Sequence, residues 1–434
     1  MIHRRALFLA FKFFAGKNQL ANNKNLLGAV LGIGLALVPL VVVLEISSGM
    51  IEGITQRYME IGSYHLQIRN YTQLDPEIEE NTINELRTMP GIKAVFPVTT
   101  GLGLAYSEDG RTGISFKSLP VNYLDIDIAA KEYITIESGE FKLDSRDSAM
   151  LSSEVARILE VVPGDRIKIL TARQVPGRRP VLKPSYLTVR GIFSTGYYEL
   201  DALSIYINIE KGKTLFKERG SSFIAVKLDD PFDNIEKKTS DIRNRLASSF
   251  FVSNWYDLER NMIDSFNTTK TMLLFIMIII VLVAAMNISS AVVMLVMEKE
   301  AEIAMLKSTG VASSLITRAF IYIGFIIGLA GTFTGLLTGL MIAVNINGFI
   351  KIAESIINSA YGIVQIIISP FLTLGDRGIV LIDTAYYLEK IPIKLNLSEI
   401  LIISSLTVLL STAAAYFPAT RAGGLKPMDI LRKH

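Results

Sequence analysis

Few residue types that could carry out catalysis occur in this sequence of 434 residues. It has no cysteine, and its three histidines, His3, His65 and His434, lie far apart along the chain. Disulfides, thiolate chemistry and cysteine-ligated metals are thereby excluded, and no histidine cluster for metal binding or nucleophilic catalysis is apparent. No GxxxxGK[ST] segment occurs, so the chain has no P-loop of its own for nucleotide hydrolysis. We therefore expect no catalytic residue, no metal and no cofactor on this chain.

A charged segment, MEKEAEIAMLKSTG at residues 297–310, is better suited to binding than to catalysis. It lies between two long uncharged runs and combines three glutamates and two lysines with the apolar residues Ile303 and Leu306. This pattern predicts a short helix that is held at a membrane face by the spans on either side. Such a helix is suited to dock on another protein.

The elements that would hold this segment are membrane spans. Half of the residues are apolar, 20% are charged, and the mean hydropathy is +0.39. This balance predicts spans together with a sizeable aqueous part. Four uncharged runs, at residues 26–44, 271–297, 319–350 and 400–420, are long enough to cross a bilayer, and their length favours spans over buried core helices. We predict spans at residues 26–48, 271–297, 317–346 and 399–418.

Basic residues near the spans predict the topology. The first 25 residues carry five lysines and arginines and no acid, and the segment 419–434 is also mostly basic. The excess of basic residues on the cytoplasmic side therefore predicts that both ends are cytoplasmic. Residues 49–270 and 347–398 are then outside, and residues 298–316 are inside. The mild net charge of +3 follows from this topology and does not indicate nucleic acid binding.

The first 25 residues also contain an apolar pattern at helical spacing. Leu7, Phe8, Phe11 and Phe14 stand beside Arg4, Arg5 and Lys12, which suits a helix lying in the inner interface. The alternative is an extension of the first span. The span-length apolar run that follows predicts a retained helix rather than a cleaved signal peptide.

The large outer segment begins and ends with similar strand–helix–strand patterns. One pattern falls within residues 62–100 and the other within 221–256. Together they predict a split α/β sandwich of ferredoxin-like type, and the stretch 101–220 predicts a β-rich insertion. In that insertion two strands flank a basic, proline-stiffened loop. It is either a partner-binding arm or an ordinary solvated hairpin loop, and its residues are Arg173, Val175, Pro176, Gly177, Arg178 and Arg179.

The third span has glycines at about every fourth residue from Gly324 to Gly339. Small residues at this spacing let helices approach closely in a membrane. The partner helix could belong either to the same chain or to a second copy.

Several motifs together resemble the FtsX/MacB-like permease superfamily of ABC transporters. They are the inner segment continuing as MEKEAEIAMLKSTGVASSLITRAFIYIG, the glycine-rich span, and the ending AAAYFPATRAGGLKPMDILR. Two further stretches, VRGIFSTGYYELDALSIYI and TAYYLEKIPIKLN, are similar to the lipoprotein-releasing permeases of the LolC/LolE type. The N-terminal stretch also fits that group, so the resemblance covers nearly the whole chain.

The resemblance implies a fold class and a set of partners. The fold would be an integral membrane α-helical protein with four spans, a large α+β periplasmic domain, and type VII (MacB-like) permease architecture in the bacterial inner membrane. The partners would be a LolD-like ATPase carrying ATP and Mg²⁺, a second permease subunit, a LolA-like periplasmic carrier, membrane lipid, and an acylated lipoprotein as substrate.

The resemblance also implies three sites. The coupling helix would seat in the ATPase through Glu298, Lys299, Glu302, Ile303, Met305, Leu306, Lys307 and Gly310. The proline-stiffened loop falls where the carrier-binding hook would be. For the lipoprotein cavity we favour Val43, Ile46, Met50, Ile263, Phe266, Tyr386 and Tyr387, whose alternative role is plain helix packing at an aromatic belt.

Other functions remain open at this point. One is a MacB-like efflux or FtsX-like signalling permease that acts on another substrate. Another is a membrane sensor that recruits a signalling partner without transport. The resemblance does not decide between a LolC-like member, a LolE-like member and a single permease serving both roles.

Overall fold

The computed structural model describes residues 2–14, 19–70, 76–173, 181–216, 222–368, 392–393 and 395–426. The chain forms two compact units. The first, the helical unit, comprises Met1–Met50, Phe266–Ile356 and Ile391–His434. The second, the sheet unit, comprises Ile51–Ser265 and Ile357–Lys390.

The described residues form the following helices and strands. The helices are α1 Ile2–Phe14, α2 Gln19–Arg57, α3 Pro76–Arg87, α4 Tyr123–Ile126, α5 Ala130–Tyr133, α6 Ser153–Leu159, α7 Tyr198–Asp201, α8 Ile209–Leu215, α9 Ile235–Arg245, α10 Trp255–Leu258, α11 Arg260–Glu298, α12 Glu300–Ser308, α13 Ser313–Val344, α14 Ile346–Ile368 and α15 Leu397–Gly424. The strands are β1 Leu66–Asn70, β2 Ile92–Tyr106, β3 Arg111–Leu119, β4 Thr135–Gly139, β5 Ser148–Ser152, β6 Arg166–Arg173, β7 Val181–Ser194, β8 Ser204–Asn208, β9 Ser222–Leu228 and β10 Phe250–Asn254.

Four of the described helical segments are long and apolar enough to cross a membrane. They are Leu27–Gly62, Arg260–Glu298, Ser313–Val344 and Leu397–Gly424. Each contains most of one predicted span, but the first two are far longer than the apolar runs. At 1.5 Å per residue the 39-residue α2 is about 58 Å long, against roughly 30 Å of hydrocarbon. The sequence located the apolar part of each helix, and polar residues extend the helices beyond it.

The predicted outer loop at residues 347–398 begins with a helix that was not predicted from the sequence. Helix α14 occupies Ile346–Ile368. Lys351 and Glu354 interrupt the apolar run here, but apolar residues such as Phe349, Ile352 and Ile356 continue at helical spacing. The interruption of a span-length run was therefore not the end of helical structure.

The glycine-rich face of α13 packs on helices of the same chain. A Cβ atom placed on Gly324 would lie 2.2 Å from the Cβ of Ala415 on α15, and one on Gly335 would lie 2.9 Å from the carbonyl oxygen of Gly34 on α2. Both distances are shorter than real Cβ contacts, so any larger residue would push these helices apart. At these positions the intrachain alternative is correct.

Helix α1 packs on the helical unit through one of its faces. Ala6, Ala10 and Phe13 are buried, and the Phe13 ring stacks on Phe320 of α13 at a centroid distance of 5.5 Å. Leu7, Phe8 and Phe11 are exposed on the same helix. An exposed apolar face is what a helix in the membrane interface requires.

The sheet unit contains one ten-stranded sheet among the described residues, with the path β10-β1-β9-β2-β3-β8-β5-β7-β4 and with β6 paired to β2 and β7. The first four strands of this path, β10, β1, β9 and β2, are antiparallel to one another. Together with α3 and α9 they form the two strand–helix–strand units of a ferredoxin-like arrangement. Strands β3 to β8 belong to the insertion, which is β-rich.

Candidate functional site

The predicted docking segment, residues 298–310, contains a short helix with one face turned into the protein. In α12 the side chains of Ile303 and Ala304 are fully buried, and Ile303 belongs to the core of the helical unit, while Met305 is 55% exposed. Glu298 and Glu302 are also exposed, and Leu306 and Lys307 are half-buried. The expectation that Ile303 contacts a partner is therefore corrected: this side chain anchors α12 to its own chain.

The C-terminus of α12 is fixed by a glycine. Gly310 has a φ of +90°, which is a conformation that residues with a side chain rarely adopt. The N–H of Val311 donates to the carbonyl oxygen of Leu306, and the N–H of Gly310 donates to that of Lys307, both at 3.1 Å. This pattern is a Schellman motif. Gly310 thus ends the helix.

Two lysines of the docking segment also bind within the chain. The ammonium of Lys307 donates to the carbonyl oxygens of Gly423 at 2.8 Å and of Leu425 at 2.5 Å, at the C-terminal end of α15. Lys299 is 8% exposed and pairs with Glu302 at 2.6 Å. Because Lys307 satisfies carbonyls that the helix leaves unpaired, it ties the docking segment to the last candidate span.

The basic hairpin loop joins two paired strands. Strands β6 and β7 are antiparallel neighbours, and their register runs from Arg166 opposite Thr188 to Arg173 opposite Val181. The predicted loop therefore starts where this ladder ends. Val175, Pro176, Gly177, Arg178 and Arg179 lie outside the described residues.

The predicted lipoprotein-cavity residues are divided between the units. Val43, Ile46 and Met50 follow one another on a face of α2, with Val43 exposed and the other two half-buried. Phe266 is half-buried on α11 in the same unit, whereas Ile263 belongs to the sheet unit. Tyr386 and Tyr387 lie outside the described residues.

A polar cluster that was not predicted from the sequence lies beside this face of α2. We call it the Glu45 cluster, and it consists of Glu45, Ser48, Lys270, Asn396 and Glu399. The Glu399 carboxylate accepts from Ser48 at 3.1 Å, from the Asn396 side chain at 2.9 Å, and from the Lys270 ammonium, with which it forms an ion pair. Glu45 is only 3% exposed, and its Oε2 atom has no hydrogen-bond partner in the described part of the chain.

The sheet unit has a second buried group of charges, where the π-helical turn Tyr58–Gly62 follows α2. We call it the Lys227 network, and it consists of Glu60, His65, Asp127 and Lys227. Lys227 is 1% exposed; its ammonium donates to the Glu60 carbonyl at 2.6 Å, pairs with the Glu60 carboxylate, and lies 3.3 Å from Asp127. Lys117 donates to the neighbouring carbonyls of Ile61 and Gly62. The ammonium groups of Lys227 and Lys117 interact favourably with the negative, C-terminal end of the helix dipole.

His65 in this network is held in one neutral tautomer. Its Nδ1 atom accepts from the backbone N–H of Leu228 at 2.8 Å, so its Nε2 atom donates to Glu60 at 3.1 Å. The pKa of His65 is lowered, chiefly by burial and also by the charge of Lys227. Burial raises the pKa of Asp127, and the ammonium of Lys227 opposes that rise.

Comparison with known proteins identifies the class to which this arrangement belongs. The family model of the MacB-like periplasmic core domain matches residues 25–244, half of the chain. The chain therefore belongs to that family. It combines the MacB-like domain with helices that are apolar enough to span a membrane.

Individual relatives extend over nearly the full length. The chain is 25% identical to the lipoprotein-releasing system transmembrane protein LolC of Xylella fastidiosa over 415 residues, which cover 94% of this chain and 93% of the relative. It is 24% identical to the LolE protein of Haemophilus influenzae over 439 residues, covering 97% and 99%. The resemblance to LolC/LolE-type permeases is confirmed by these relatives.

Among solved structures, the periplasmic region of MacB from Actinobacillus actinomycetemcomitans is 17% identical to this chain with a TM-score of 0.31. It covers 47% of this chain and 95% of that one. A TM-score this low adds nothing to the description of the fold.

Proposed function

We propose that this chain is a permease subunit of an ABC transporter that extracts acylated lipoproteins from the outer leaflet of the bacterial inner membrane and passes them to a periplasmic carrier. The observation that carries the proposal is the near full-length similarity to both LolC and LolE. The four candidate spans and the short helix between the second and third of them are consistent with it.

ATP would be hydrolysed with Mg²⁺ on a separate ATPase subunit. The contact surface for that subunit would be the exposed side of α12, with Glu302 and Met305 at its centre. Because Ile303 is buried in the helical unit and Lys307 binds the end of α15, a push on α12 would move the spans rather than α12 alone. Force would thus pass through the membrane without a pore.

The fold in the membrane would be the four-span, type VII arrangement with both ends in the cytoplasm. The basic residues at both ends of the chain support this orientation. A second permease, identical or related, would complete the assembly. The lipoprotein would enter sideways between spans, next to Val43, Ile46 and Met50.

The test is ATP-dependent release in proteoliposomes. The full chain, its ATPase and a second permease are reconstituted with an acylated lipoprotein, and transfer to a soluble carrier is measured. We expect release to require ATP, the carrier and the acyl chains, so that the same lipoprotein with its acylated cysteine replaced by serine is not a substrate. ATP hydrolysis without any transfer would favour the efflux or signalling permease instead.

The docking surface is tested by Met305→Glu, which places a charge on the exposed side of α12. We expect ATPase binding to weaken by about tenfold or more, as for an apolar interface residue, with the chain still folded. Arg318→Glu, a charge change outside the docking segment, is the control. Unchanged ATPase binding by Met305→Glu would refute the docking surface.

The hairpin loop is tested by the double substitution of Pro176 and Arg178 with aspartate. We expect crosslinking to the carrier to be lost while ATPase assembly is unchanged, because the basic, stiffened loop would be the contact. Unchanged crosslinking would contradict the carrier contact and would indicate that the loop is an ordinary solvated hairpin loop.

A further inference from the structure

The Glu45 cluster carries an uncompensated charge inside the helical unit. Its two carboxylates, Glu45 and Glu399, face one ammonium, that of Lys270, so the ionised cluster has a net charge of minus one. The hydrogen bonds are distributed just as unevenly. Glu399 accepts from the side chains of Ser48, Asn396 and Lys270. Glu45 has a hydrogen bond to the backbone of Asn396, but its Oε2 atom has no partner among the described residues. A buried carboxylate in this state is costly unless a proton or a cation joins it.

The position of the cluster also limits what could join it. Glu45 stands in α2 between Val43 and Ile46, at the end of the apolar run, where a span meets the headgroup region. Pro392 packs directly on the next turn of α2, because a Cβ atom placed on Gly49 would lie 1.9 Å from the carbonyl oxygen of Pro392. A ligand for Glu45 must therefore bring its charge to an enclosed place at the membrane boundary.

We propose that the Glu45 cluster binds one primary ammonium group carried on a diacylated lipid. An ammonium has three donors, of which one would bind the unpaired Oε2 of Glu45 and the others would be open to water or to neighbouring carbonyls. It would bring the charge of the cluster to zero. A quaternary ammonium has no N–H donor, and a phosphate or hydroxyl headgroup has no positive charge, so neither satisfies both needs.

Two sources could present this chemistry. One is the free α-amino group of an S-diacylglyceryl-cysteine at the start of a lipoprotein, which is the source that rests on the proposed function. The other is the ethanolamine headgroup of a membrane phospholipid. Both place an ammonium close to two acyl chains, and the experiment separates them.

The first arm uses the full chain in phosphatidylglycerol nanodiscs with a fluorescent diacylglyceryl-cysteinyl peptide. The free-amine peptide is compared with the same peptide after N-acetylation, which removes only the positive charge. We expect the free amine to bind at least about tenfold more tightly, as for a charge-assisted hydrogen bond. In Glu45→Gln, which has the same size without the charge, the two peptides should bind alike. Glu354→Gln, on α14, is the control and should keep the preference.

The second arm measures the phospholipid that stays bound after purification from an equal mixture of phosphatidylethanolamine and phosphatidylglycerol, by native mass spectrometry. Retention of phosphatidylethanolamine by the wild type and its loss in Glu45→Gln would assign the site to the headgroup. A second variant, Glu399→Gln, also removes one negative charge and should lower the preference in whichever arm is positive. This variant guards against a local folding effect of the Glu45 change.

The results separate this inference from the proposed function. If both peptides bind equally to the wild type and no ethanolamine lipid is retained, the ammonium site is wrong, while lipoprotein binding stands. If neither peptide binds but ethanolamine lipid is retained in a Glu45-dependent manner, the site stands and the lipoprotein function is in question.

Discussion

The Lys227 network and the Glu45 cluster are both buried groups of charges, but they differ in how completely they are satisfied. In the first, the ammonium of Lys227 meets the carboxylates of Glu60 and Asp127 as well as a backbone carbonyl, and both nitrogens of His65 are hydrogen-bonded. In the second, the side chains of Ser48, Lys270 and Asn396 all donate to Glu399. Glu45 has only a hydrogen bond to the Asn396 backbone, and its Oε2 atom is unpaired among the described residues.

This difference separates a structural role from a binding role. A buried network with all partners present fixes one conformation, and removing one member leaves the others uncompensated. A buried charged group that lacks a partner destabilises the ligand-free protein, and a ligand that supplies the partner removes this free-energy cost. The Lys227 network therefore fixes the conformation of the chain at the end of α2, in the sheet unit. The Glu45 cluster is suited to bind a cation.

The largest expected effect is that of Lys227→Met. Because Glu60 and Asp127 would remain buried without their cation, we expect the free energy of unfolding of the sheet unit to fall by about 3–5 kcal/mol. Trp255 is the only tryptophan of the chain and is buried in that unit, so its fluorescence during denaturant unfolding of the full chain measures the effect.

Lys131→Met is the matched control for this prediction. Lys131 lies 3.6 Å from Asp125 in the same unit, the two side chains are 50% and 78% exposed, and an exposed pair contributes about 1 kcal/mol or less. Equal losses in the two variants would show that the Lys227 network is no more important than a surface ion pair.

The next effect is a pH dependence that arises from His65. Its pKa is lower in the folded state than in the unfolded chain, so between the two values the unfolded state binds more protons. The stability that neutral His65 provides is present above pH about 6.5 and is lost as the pH falls toward its folded pKa, by up to about 1.4 kcal/mol per pH unit.

The measurement is the difference in unfolding free energy between wild type and His65→Gln from pH 7.5 to pH 5. Subtraction removes the other groups that titrate in this range, such as Asp201, whose pKa burial raises to about 6. A difference that does not change with pH would mean that His65 does not need to be neutral.

The smallest expected effect is that of Glu45→Gln on stability. Since this substitution removes an unpaired charge and keeps the shape, we expect a change of less than about 1 kcal/mol, of either sign. Thermal unfolding of the helical unit, followed by circular dichroism of the purified full chain, measures it. A loss as large as that of Lys227→Met would show that Glu45 already has a partner and would remove the contrast between the two clusters.

The sequence located the elements whose signals are local. Uncharged runs placed the apolar parts of α2, α11, α13 and α15, and strand–helix–strand patterns placed the two ends of the sheet unit. It missed α14, because Lys351 and Glu354 interrupt the apolar run without ending the helix. It identified α12 as a helix but could not show that Ile303 faces inward, since the direction of an apolar residue depends on its neighbours in space.

The two charge clusters could not be assembled from the sequence for a related reason. Ser48 and Glu399 are 351 residues apart, and Glu60 and Lys227 are 167 apart. A weak signal did exist: Glu45, Lys270 and Glu399 all stand immediately beside uncharged runs. Charges at the ends of different spans can meet when those spans pack together, but the pattern does not show which spans are neighbours.

The most direct test of the lipoprotein-release function is mass spectrometry of what co-purifies with the full chain from gently solubilised native membranes. We expect a P-loop ATPase together with acylated lipoproteins, and Met305→Glu should lose the ATPase while retaining the lipoproteins. An ATPase without lipoproteins would contradict the substrate and favour efflux or signalling. The absence of any ATPase from the wild-type preparation would contradict the transporter function itself.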